Sequence, residues 1–321
     1  MPAPVGLQLS QFALDVADGL GRAGQKEVPP RYFYDDLGSI LFEAITLLPE
    51  YGLTRADERL LGSHSDAIVS ETGPVALIAE LGSGSGRKTR YILEAALRRQ
   101  REVTYRPIDV SASALEACER ELSNISEVQP ICADWMEGLN EVAQNRATDE
   151  PLLLLFLGSS IGNVKRCEIV EFLRHIRWNL RAGDFFLVGA DLVKNEQRMI
   201  AAYDDPTGVT AAFNLNLLGR MNRELDADFD LRSFVHEARW NSSERCIEMH
   251  LRSQRDQVVH VGEPDLRVGF REGETICTEL SHKFTQAELI SYAHSSGFDP
   301  VTMWMDRTWP FVEALWRADE R

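Results

Sequence analysis

The stretch AELGSGSGRKTRYIL, residues 79–93, places three glycines and a lysine directly behind an acidic residue. A glycine cluster lets a backbone come close to a bound ligand. The apolar run 75–81 before it has the length of a buried strand, and the stretch 87–99 after it has helical periodicity. The pattern indicates a strand, a binding loop and a helix, and the residues between the glycines decide which ligand the loop holds.

Short apolar runs and longer amphipathic stretches alternate onward from this loop. We predict further strands and the helices between them at 103–110, 111–125, 128–135, 151–163, 165–183 and 184–193. Strands that alternate with helices predict an α/β fold with a doubly wound parallel sheet. Ligands of such sheets bind at the carboxyl ends of the strands.

The rhythm changes after about residue 194. Two helical stretches, 197–205 and 207–225, precede consecutive runs of strand character at 245–253, 257–261, 265–270 and 275–284. Strands without helices between them predict an antiparallel insertion. A helix at 285–297 and strands at 298–306 and 309–318 then close the chain.

Two phosphate-binding interpretations of the loop fail on spacing. A triphosphate loop needs glycine directly before Lys-Ser/Thr, and Arg87 stands there. A dinucleotide loop needs a third glycine three residues after the second, and both possible frames miss it, at Arg87 and at Thr89. A nucleotide hydrolase and a dinucleotide enzyme are therefore disfavoured.

Acidic residues at three successive strand ends favour S-adenosylmethionine instead. Glu80 ends the first strand; Asp109 ends the second, where a carboxylate can accept both ribose hydroxyls. Asp134 ends the third, where it can accept an adenine amino hydrogen with Trp135 beside the ring. The alternative is that Asp109 and Asp134 are ordinary helix caps, a position that aspartate prefers.

Composition excludes several classes of partner and site. The 321 residues carry a net charge of -16, which disfavours nucleic acid and membrane surfaces. The five cysteines are dispersed, and no pair of histidines has metal-ligand spacing, so we expect reduced thiols and no metal. Without a basic and apolar leader or a spanning apolar run, we expect a cytoplasmic protein. Short loops and the lack of an evident exposed apolar stripe make a monomer the default expectation.

Longer motifs, spread over nearly the whole chain, carry a family resemblance. They are PPRYFYDDLGSILFEAITLLPEYGLTRAD, AELGSG, FLGSSIGN, AYDDPTGVTAAFN, NRELDADFDL and TELSHKF. Together they resemble the histidine-specific methyltransferases of ergothioneine biosynthesis. The resemblance implies S-adenosylmethionine-dependent trimethylation of the α-amine of L-histidine, a small-molecule substrate, to hercynine, the first step of that pathway. It also implies a Rossmann-like class I methyltransferase sheet with a second α+β domain.

We therefore expect residues 56–193 and 283–321 to form the methyltransferase domain and 1–55 and 194–282 the substrate-binding domain. The resemblance implies cofactor-binding roles for Gly82, Lys88, Asp109, Asp134 and Trp135. It implies histidine-binding or lining roles for Tyr34, Tyr51, Gly158, Asn163, Tyr203, Thr210, Met249, Glu279, Leu280 and Ser281. Of these, Tyr34, Tyr51 and Asn163 are the candidate catalytic residues.

The residue types suit an imidazole-bearing amino acid. Glu279 and Ser281 are two apart in a predicted strand, so both side chains leave the same face and can reach the two ring nitrogens. Asn163 and Tyr203 can donate to the substrate carboxylate, and Phe42 can face the cationic product. A solvated strand face is the alternative for Glu279 and Ser281.

The chain departs from the expected family pattern at three places. Gly86-Arg87 replaces less flexible residues, Gly52-Leu53 stands where an aromatic residue and proline are expected, and His282 replaces a small residue. The first departure should affect cofactor affinity, and the other two substrate affinity or closure. Two functional alternatives stay open: a methyltransferase acting on another aromatic amino acid or amine, such as tryptophan, and a non-catalytic S-adenosylmethionine-binding protein.

Overall fold

The computed structural model describes residues 9–320, whose contacts divide the chain into two units. The sheet unit comprises Thr46–Arg198, Ser242–Cys246 and the chain from Ser281 onward. The insertion unit comprises the chain up to Ile45 with Met199–Asn241 and Ile247–Leu280. Residues 1–8, which the sequence analysis assigns to the substrate-binding domain, and residue 321 lie outside the described range.

The helices and strands follow one another in an order that matches the change of rhythm in the sequence. The helices are α1 (Gln11–Leu20), α2 (Asp36–Thr46), α3 (Gly52–Thr72), α4 (Arg90–Leu97), α5 (Ala112–Leu122), α6 (Trp135–Asn145), α7 (Ile169–Asn179), α8 (Glu196–Ala201), α9 (Val209–Glu224) and α10 (Gln286–Ser296). The strands are β1 (Lys26–Glu27), β2 (Leu77–Leu81), β3 (Thr104–Asp109), β4 (Glu127–Val128), β5 (Ile131–Cys132), β6 (Leu152–Phe156), β7 (Phe185–Asp191), β8 (Phe234–Asn241), β9 (Cys246–Ser253), β10 (Gln257–Val261), β11 (Leu266–Phe270), β12 (Thr275–His282), β13 (Phe298–Asp306) and β14 (Phe311–Ala318).

The sheet unit contains an eight-stranded sheet in the order β13-β14-β7-β6-β2-β3-β4, with β5 also paired to β3. The strands from β2 to β7 pair in parallel, and β14 and β13 close one edge antiparallel. Every residue of β2 and β6 is buried, and an apolar cluster covers each face of the sheet. These features confirm the predicted α/β fold with a Rossmann-like, doubly wound sheet.

The strand order reverses at β2, which has β3 on one side and β6 on the other. In open parallel sheets the ligand crevice lies at such a reversal, beyond the carboxyl ends of the strands. Leu81, the last residue of β2, leads directly into the glycine loop that begins at Gly82. The fold therefore places the loop where a nucleoside would bind.

The predicted strand at 128–135 is wrong in one respect, because the structure breaks it into two short pieces. β4 ends at Val128 and β5 begins at Ile131, with Pro130 between them. Proline has no N–H to donate to the neighbouring strand, so the ladder is interrupted there. The carboxyl end of the broken strand still leads to Asp134.

The insertion unit contains a four-stranded sheet in the order β1-β12-β9-β8 and a separate β10-β11 pair. The β10-β11 pair is antiparallel, as expected for inserted strands, whereas β1 adds to β12 in parallel. β8, which the sequence analysis did not predict, forms the far edge. Ser281 and His282, the last residues of β12, belong to the sheet unit.

Candidate active site

The glycine loop is shaped by backbone conformation and by a neighbouring indole. Gly82 has a φ of +68°, and its N–H donates to the Ile108 carbonyl at 2.8 Å. A Cβ at this position would lie 3.1 Å from Nε1 of Trp135. Because both the left-handed conformation and the close indole disfavour a side chain, glycine is required at this point of the loop.

Asp109 is fixed against the same loop. One carboxylate oxygen accepts from the Gly84 N–H and the other from the Ser111 N–H, each at 2.9 Å. Burial raises the pKa of Asp109, and the backbone donors oppose that rise. The side chain is therefore held at the end of β3 and is not the N-cap of α5, which is Ser111.

Asp134 is a helix cap in the structure, which is the alternative that the sequence left open. Its Oδ1 accepts from the N–H groups of Met136 and Glu137 at 2.9 Å each, at the start of α6. Trp135 follows, and its ring meets Phe156 edge-on at a centroid distance of 4.9 Å. The cap and the packed indole hold the start of α6 in a defined geometry.

Glu80 lies beneath the loop rather than in it. It is 2% exposed and accepts hydrogen bonds from Thr89 and Tyr105, each at 2.5 Å. Burial raises the pKa of Glu80 to about 7, although the two hydroxyl donors oppose the rise. Through these hydrogen bonds, Glu80 links the start of α4 and strand β3 to β2 and stabilises the conformation of the glycine loop.

Lys88 and Gly158 come together on Asp57, a residue of α3. The Lys88 ammonium forms an ion pair with Asp57, and the Gly158 N–H donates to the same carboxylate oxygen at 2.9 Å. Burial disfavours the charged ammonium, but the Asp57 carboxylate outweighs it and raises the pKa of Lys88. Two predicted site residues, one from the loop and one from the end of β6, are thereby joined through a residue that the sequence analysis missed.

A second acid, Glu313 of β14, backs Asp57. Both residues are 0% exposed, and among the described residues no hydrogen-bond donor pairs with Oδ1 of Asp57 or with the Glu313 carboxyl oxygens. Burial and then the neighbouring Asp57 raise the pKa of Glu313 well above its ordinary value. A neutral Glu313 adds no second charge beside the ion pair of Lys88 and Asp57.

Asn163 ends a single 3₁₀ turn, Ser160–Asn163, that follows β6. The turn packs on the chain at the end of β12, because a Cβ on Gly162 would lie 2.9 Å from the His282 carbonyl oxygen. Ser281, one residue earlier, is 3% exposed. Asn163 and Ser281, predicted to bind opposite ends of the substrate, therefore belong to neighbouring segments of the sheet unit.

Tyr51 is 7% exposed and immediately precedes α3, the helix that carries Asp57. The unusual Gly52 beside it has a packing reason. A Cβ on Gly52 would lie 2.1 Å from Cε3 of Trp309. The indole of Trp309 occupies the space that a larger residue would need.

The other two departures also have structural accounts. A Cβ on Gly86 would lie 2.5 Å from Sγ of Cys118, and Arg87 turns outward to Glu58 at 3.1 Å. His282 is 2% exposed, and burial lowers its pKa, so the ring is neutral. Gly86 is thus a packing requirement and His282 a core residue.

Within the insertion unit, Tyr34 belongs to an aromatic group with Phe42 and Phe213. The Tyr34 ring meets Phe42 at 5.7 Å and Phe213 at 5.9 Å, both edge-on. Thr210 lies one turn before Phe213 on α9 and is 2% exposed. The first turn of α9 thus joins two of the predicted lining residues.

Tyr203 is held from the backbone by a histidine that the sequence analysis missed. His236 Nε2 lies 2.7 Å from the Tyr203 carbonyl, and Asn214 Nδ2 lies 2.8 Å from His236 Nδ1. Because the Asn214 amide nitrogen can only donate, the His236 proton is on Nε2, which donates to Tyr203. Burial lowers the pKa of His236, so this neutral tautomer persists at neutral pH.

Met249 and Glu279 occupy neighbouring strands. Thr278 of β12 donates to the Met249 carbonyl of β9 at 3.0 Å, and Met249 is 1% exposed. Glu279 and Leu280 follow Thr278 and are half-buried. The carboxylate is therefore not on a fully solvated strand face, the alternative that the sequence left open.

The missed residues share a sequence signal. Asp57 lies on the apolar stripe of α3 with Leu53 and Leu60, and Glu313 interrupts the otherwise apolar start of β14. Charged groups are rarely buried unless they are paired or have a functional role. At both positions, an acidic residue within an otherwise apolar face was the sequence signal that indicated a special role.

Comparison with known proteins agrees with the motifs. A family model described as "Histidine-specific methyltransferase, SAM-dependent" matches residues 12–318. A histidine N-alpha-methyltransferase of Mycobacterium tuberculosis is 42% identical over 94% of this chain and 93% of its own length. Its counterpart in Mycolicibacterium smegmatis is 41% identical over the same shares of both chains.

A more distant relative, ergothioneine biosynthesis protein 1 of Neurospora crassa, is 28% identical over 88% of this chain and 32% of its own length. The family model covers most of the chain, including both units, and the mycobacterial relatives match it nearly end to end. The chain belongs to the family of histidine-specific, S-adenosylmethionine-dependent methyltransferases.

Proposed function

We propose that this protein transfers three methyl groups from S-adenosylmethionine to the α-amine of L-histidine, forming hercynine in the first step of ergothioneine biosynthesis. The observation that carries the proposal is the 42% identity, over 94% of the chain, to a histidine N-alpha-methyltransferase. The residues of both units supply independent chemical support.

The residues of the sheet unit fit the methyl donor, which supplies the reactive methyl group on its sulfonium. Gly82 leaves the space against Trp135 that a Cβ would fill. We assign Asp109 to the ribose hydroxyls, and Asp134 with Trp135 to the adenine. Lys88 is the cationic residue of this group, and the carboxylate of the donor's amino-acid tail is its natural partner.

We assign the substrate to the residues that the family motifs imply. Asn163 and Tyr203 donate to the carboxylate of histidine, while Glu279 and Ser281 take the ring. Gly158, Thr210, Met249 and Leu280 line the site. The half-buried position of Glu279 favours an N–H donor over a purely apolar ring.

The protein's main task is to hold the amine uncharged and in line with the methyl carbon. Positioning of this kind contributes ~7–11 kcal/mol to lowering a barrier. The amine proton leaves through the hydroxyl of Tyr34 or Tyr51, directly or through water. The reaction stops at three methyl groups because the quaternary nitrogen has no lone pair. We assign the aromatic rings of Tyr34 and Phe42 to contact with that cation.

The alternative substrate is another aromatic amino acid, such as tryptophan. An indole has one N–H and no ring nitrogen that accepts a hydrogen bond. A site that offers both a carboxylate and a hydroxyl would leave one of them without a ring partner, which costs affinity. Glu279 and Ser281 therefore favour histidine over tryptophan.

The test is to incubate the protein with S-adenosylmethionine and, separately, histidine, tryptophan and tyrosine, and to measure product masses. We expect a gain of three methyl groups on histidine alone. Methylation of tryptophan alone would show that tryptophan, and not histidine, is the substrate. Tight cofactor binding without any product would identify a binding protein in place of an enzyme.

We further propose that the protein acts as a monomer in the cytoplasm. The dispersed cysteines and the acidic surface support an intracellular enzyme without nucleic-acid partners. Within residues 9–320, no helix is long and apolar enough to cross a bilayer. Gel filtration with light scattering at several concentrations would measure the oligomeric state.

A further inference from the structure

Lys283 lies directly behind the proposed ring-binding serine. Its side chain is 0% exposed, and its Nζ donates to Oγ of Ser281 at 3.0 Å. The residue belongs to the sheet unit and follows His282, whose backbone packs on the turn that carries Asn163. The catalytic assignments above do not use this buried cation.

The position of Lys283 is fixed on several sides. Its N–H donates to the Arg245 carbonyl at 2.7 Å, and the next residue, Phe284, donates to the Asp191 carbonyl at 2.9 Å. The Lys283 ammonium lies 3.1 Å from Oδ2 of Asp191 at the end of β7. The other oxygen of Asp191 accepts from Lys194 at 2.5 Å and from the Trp309 indole at 2.9 Å.

Lys283, Lys194 and Asp191 together carry a net positive charge. Asp191 is one carboxylate between two ammonium groups, Lys283 and Lys194. Burial, more than the neighbouring charges, lowers the pKa of Lys194 to about 8. His282 is neutral, and Glu244 and Arg166 face it from the sheet unit. Near neutral pH, positive charge therefore predominates behind Ser281.

An ammonium can only donate hydrogen bonds, so Oγ of Ser281 is the acceptor in its contact with Lys283. The hydroxyl proton must then point toward a different partner. A hydroxyl that accepts from a cation is also a stronger donor, because the hydrogen bonds polarise one another. Lys283 thus sets the polarity of the Ser281 hydroxyl.

We propose that Lys283 is a specificity-determining positioning residue that makes Ser281 a hydrogen-bond donor to the lone pair of an unprotonated ring nitrogen. The inference rests on the proposed histidine-binding role of Ser281. Glu279 accepts from the N–H of the other ring nitrogen, so the pair selects one tautomer of the neutral imidazole. An imidazolium has no lone pair for Ser281 and meets a positive charge behind it, and an indole has no second ring nitrogen.

The pH dependence of the KM for histidine distinguishes this role from a purely structural one. In the wild type, KM should rise about tenfold for each pH unit below the ring pKa of about 6.5, because only the neutral ring binds. In Lys283→Met, the Ser281 hydroxyl can rotate and accept from a protonated ring. We expect KM above pH 7 to increase about tenfold, the effect of one hydrogen bond, and its rise in acid to become shallower.

Two further variants provide the controls. Lys283→Gln keeps a donor to Ser281 without the charge and should recover part of the affinity for histidine. In a Ser281→Ala background, Lys283→Met should add little to KM, because the hydroxyl that it orients is gone. Cofactor affinity and thermal unfolding, measured on every variant, show whether the sheet unit is intact.

The inference would be overturned if Lys283→Met left both the KM for histidine and its pH slope unchanged. Equal effects of Lys283→Met on KM with and without the Ser281 hydroxyl would also overturn it. If Lys283→Met does not fold, the comparison of wild type with Ser281→Ala decides, and equal acid slopes for the two would contradict the donor role. Failure of the wild type to methylate histidine at all would instead contradict the proposed function.

Discussion

At the scale of single residues, Glu80 combines a structural role with a measurable titration. Its carboxyl accepts two hydroxyl hydrogen bonds, and burial raises its pKa from 4.5 to about 7. Between these values the folded chain keeps a proton that the unfolded chain has lost. The stabilisation is present below about pH 4.5 and is lost as the pH rises through about 7.

Glu80→Gln should remove this pH dependence while keeping an acceptor for Thr89 and Tyr105. One pKa unit corresponds to about 1.4 kcal/mol, so the variant should gain about 3 kcal/mol relative to the wild type across the window. Urea unfolding of both proteins, at pH values on either side of the window, measures the difference. A difference that does not change with pH would show that Glu80 has an ordinary pKa in the folded protein.

The residues that could be predicted from the sequence are those at strand ends. The positions of Asp109 and Asp134 after their strands were predictable, because a parallel sheet places the carboxyl ends of its strands at one edge. The contacts of Asp57 with Lys88 and Gly158, and the position of Glu313 beside it, were not predicted, because these residues are distant in sequence and no local pattern encodes the contacts. The cap role of Asp134, which the sequence left open as an alternative, needed coordinates to establish.

At the scale of elements, α3 connects the proposed catalytic Tyr51 to the buried Asp57. Substitutions at the glycines of α3 measure how tightly the helix is packed. Gly52→Ala would place a Cβ 2.1 Å from the Trp309 ring. Such overpacking costs about 1–3 kcal/mol of unfolding free energy. The start of the helix would also shift, so the variant should lose affinity for histidine.

Gly62→Ala, on the same helix, is the matched control. Its Cβ would meet Tyr91 at an ordinary 3.5 Å, and alanine favours a helix interior by up to about 1 kcal/mol over glycine. Denaturant unfolding should therefore find the first variant less stable and the second equally or more stable than wild type. Equal stability of both variants would mean that the Trp309 side chain can move aside at little cost and does not fix the position of α3.

Element type was predictable wherever periodicity was strong, as in β6, α7 and α9. β8 was not predicted, because its half-buried pattern gives weak alternation, and Pro130 divided a strand that its flanking residues favoured. The short β1 pairs with a strand about 250 residues away in sequence, at Ile276 and Cys277. Such pairing depends on tertiary contacts that local propensity does not contain.

At the scale of the whole molecule, we assign the cofactor to the sheet unit and the ring of the amino acid to the end of β12. The family membership was predictable because long motifs are spread over both units, whereas the glycine loop alone allowed three classes of ligand. The arrangement of Lys283, Ser281 and Asp191 was not predictable, since it joins the end of β7 to residues that lie about 90 positions later.

The central claim is that different residues bind histidine and S-adenosylmethionine. Isothermal titration of Glu279→Ala and Asp109→Asn tests it, with histidine titrated in saturating S-adenosylhomocysteine and thermal unfolding as the control. Glu279→Ala should weaken histidine binding about tenfold or more and leave the affinity for S-adenosylmethionine within about twofold of the wild type. Asp109→Asn should weaken S-adenosylmethionine binding about tenfold or more and leave the affinity for histidine within about twofold. Equal loss of both affinities in a folded Glu279→Ala protein would contradict the account.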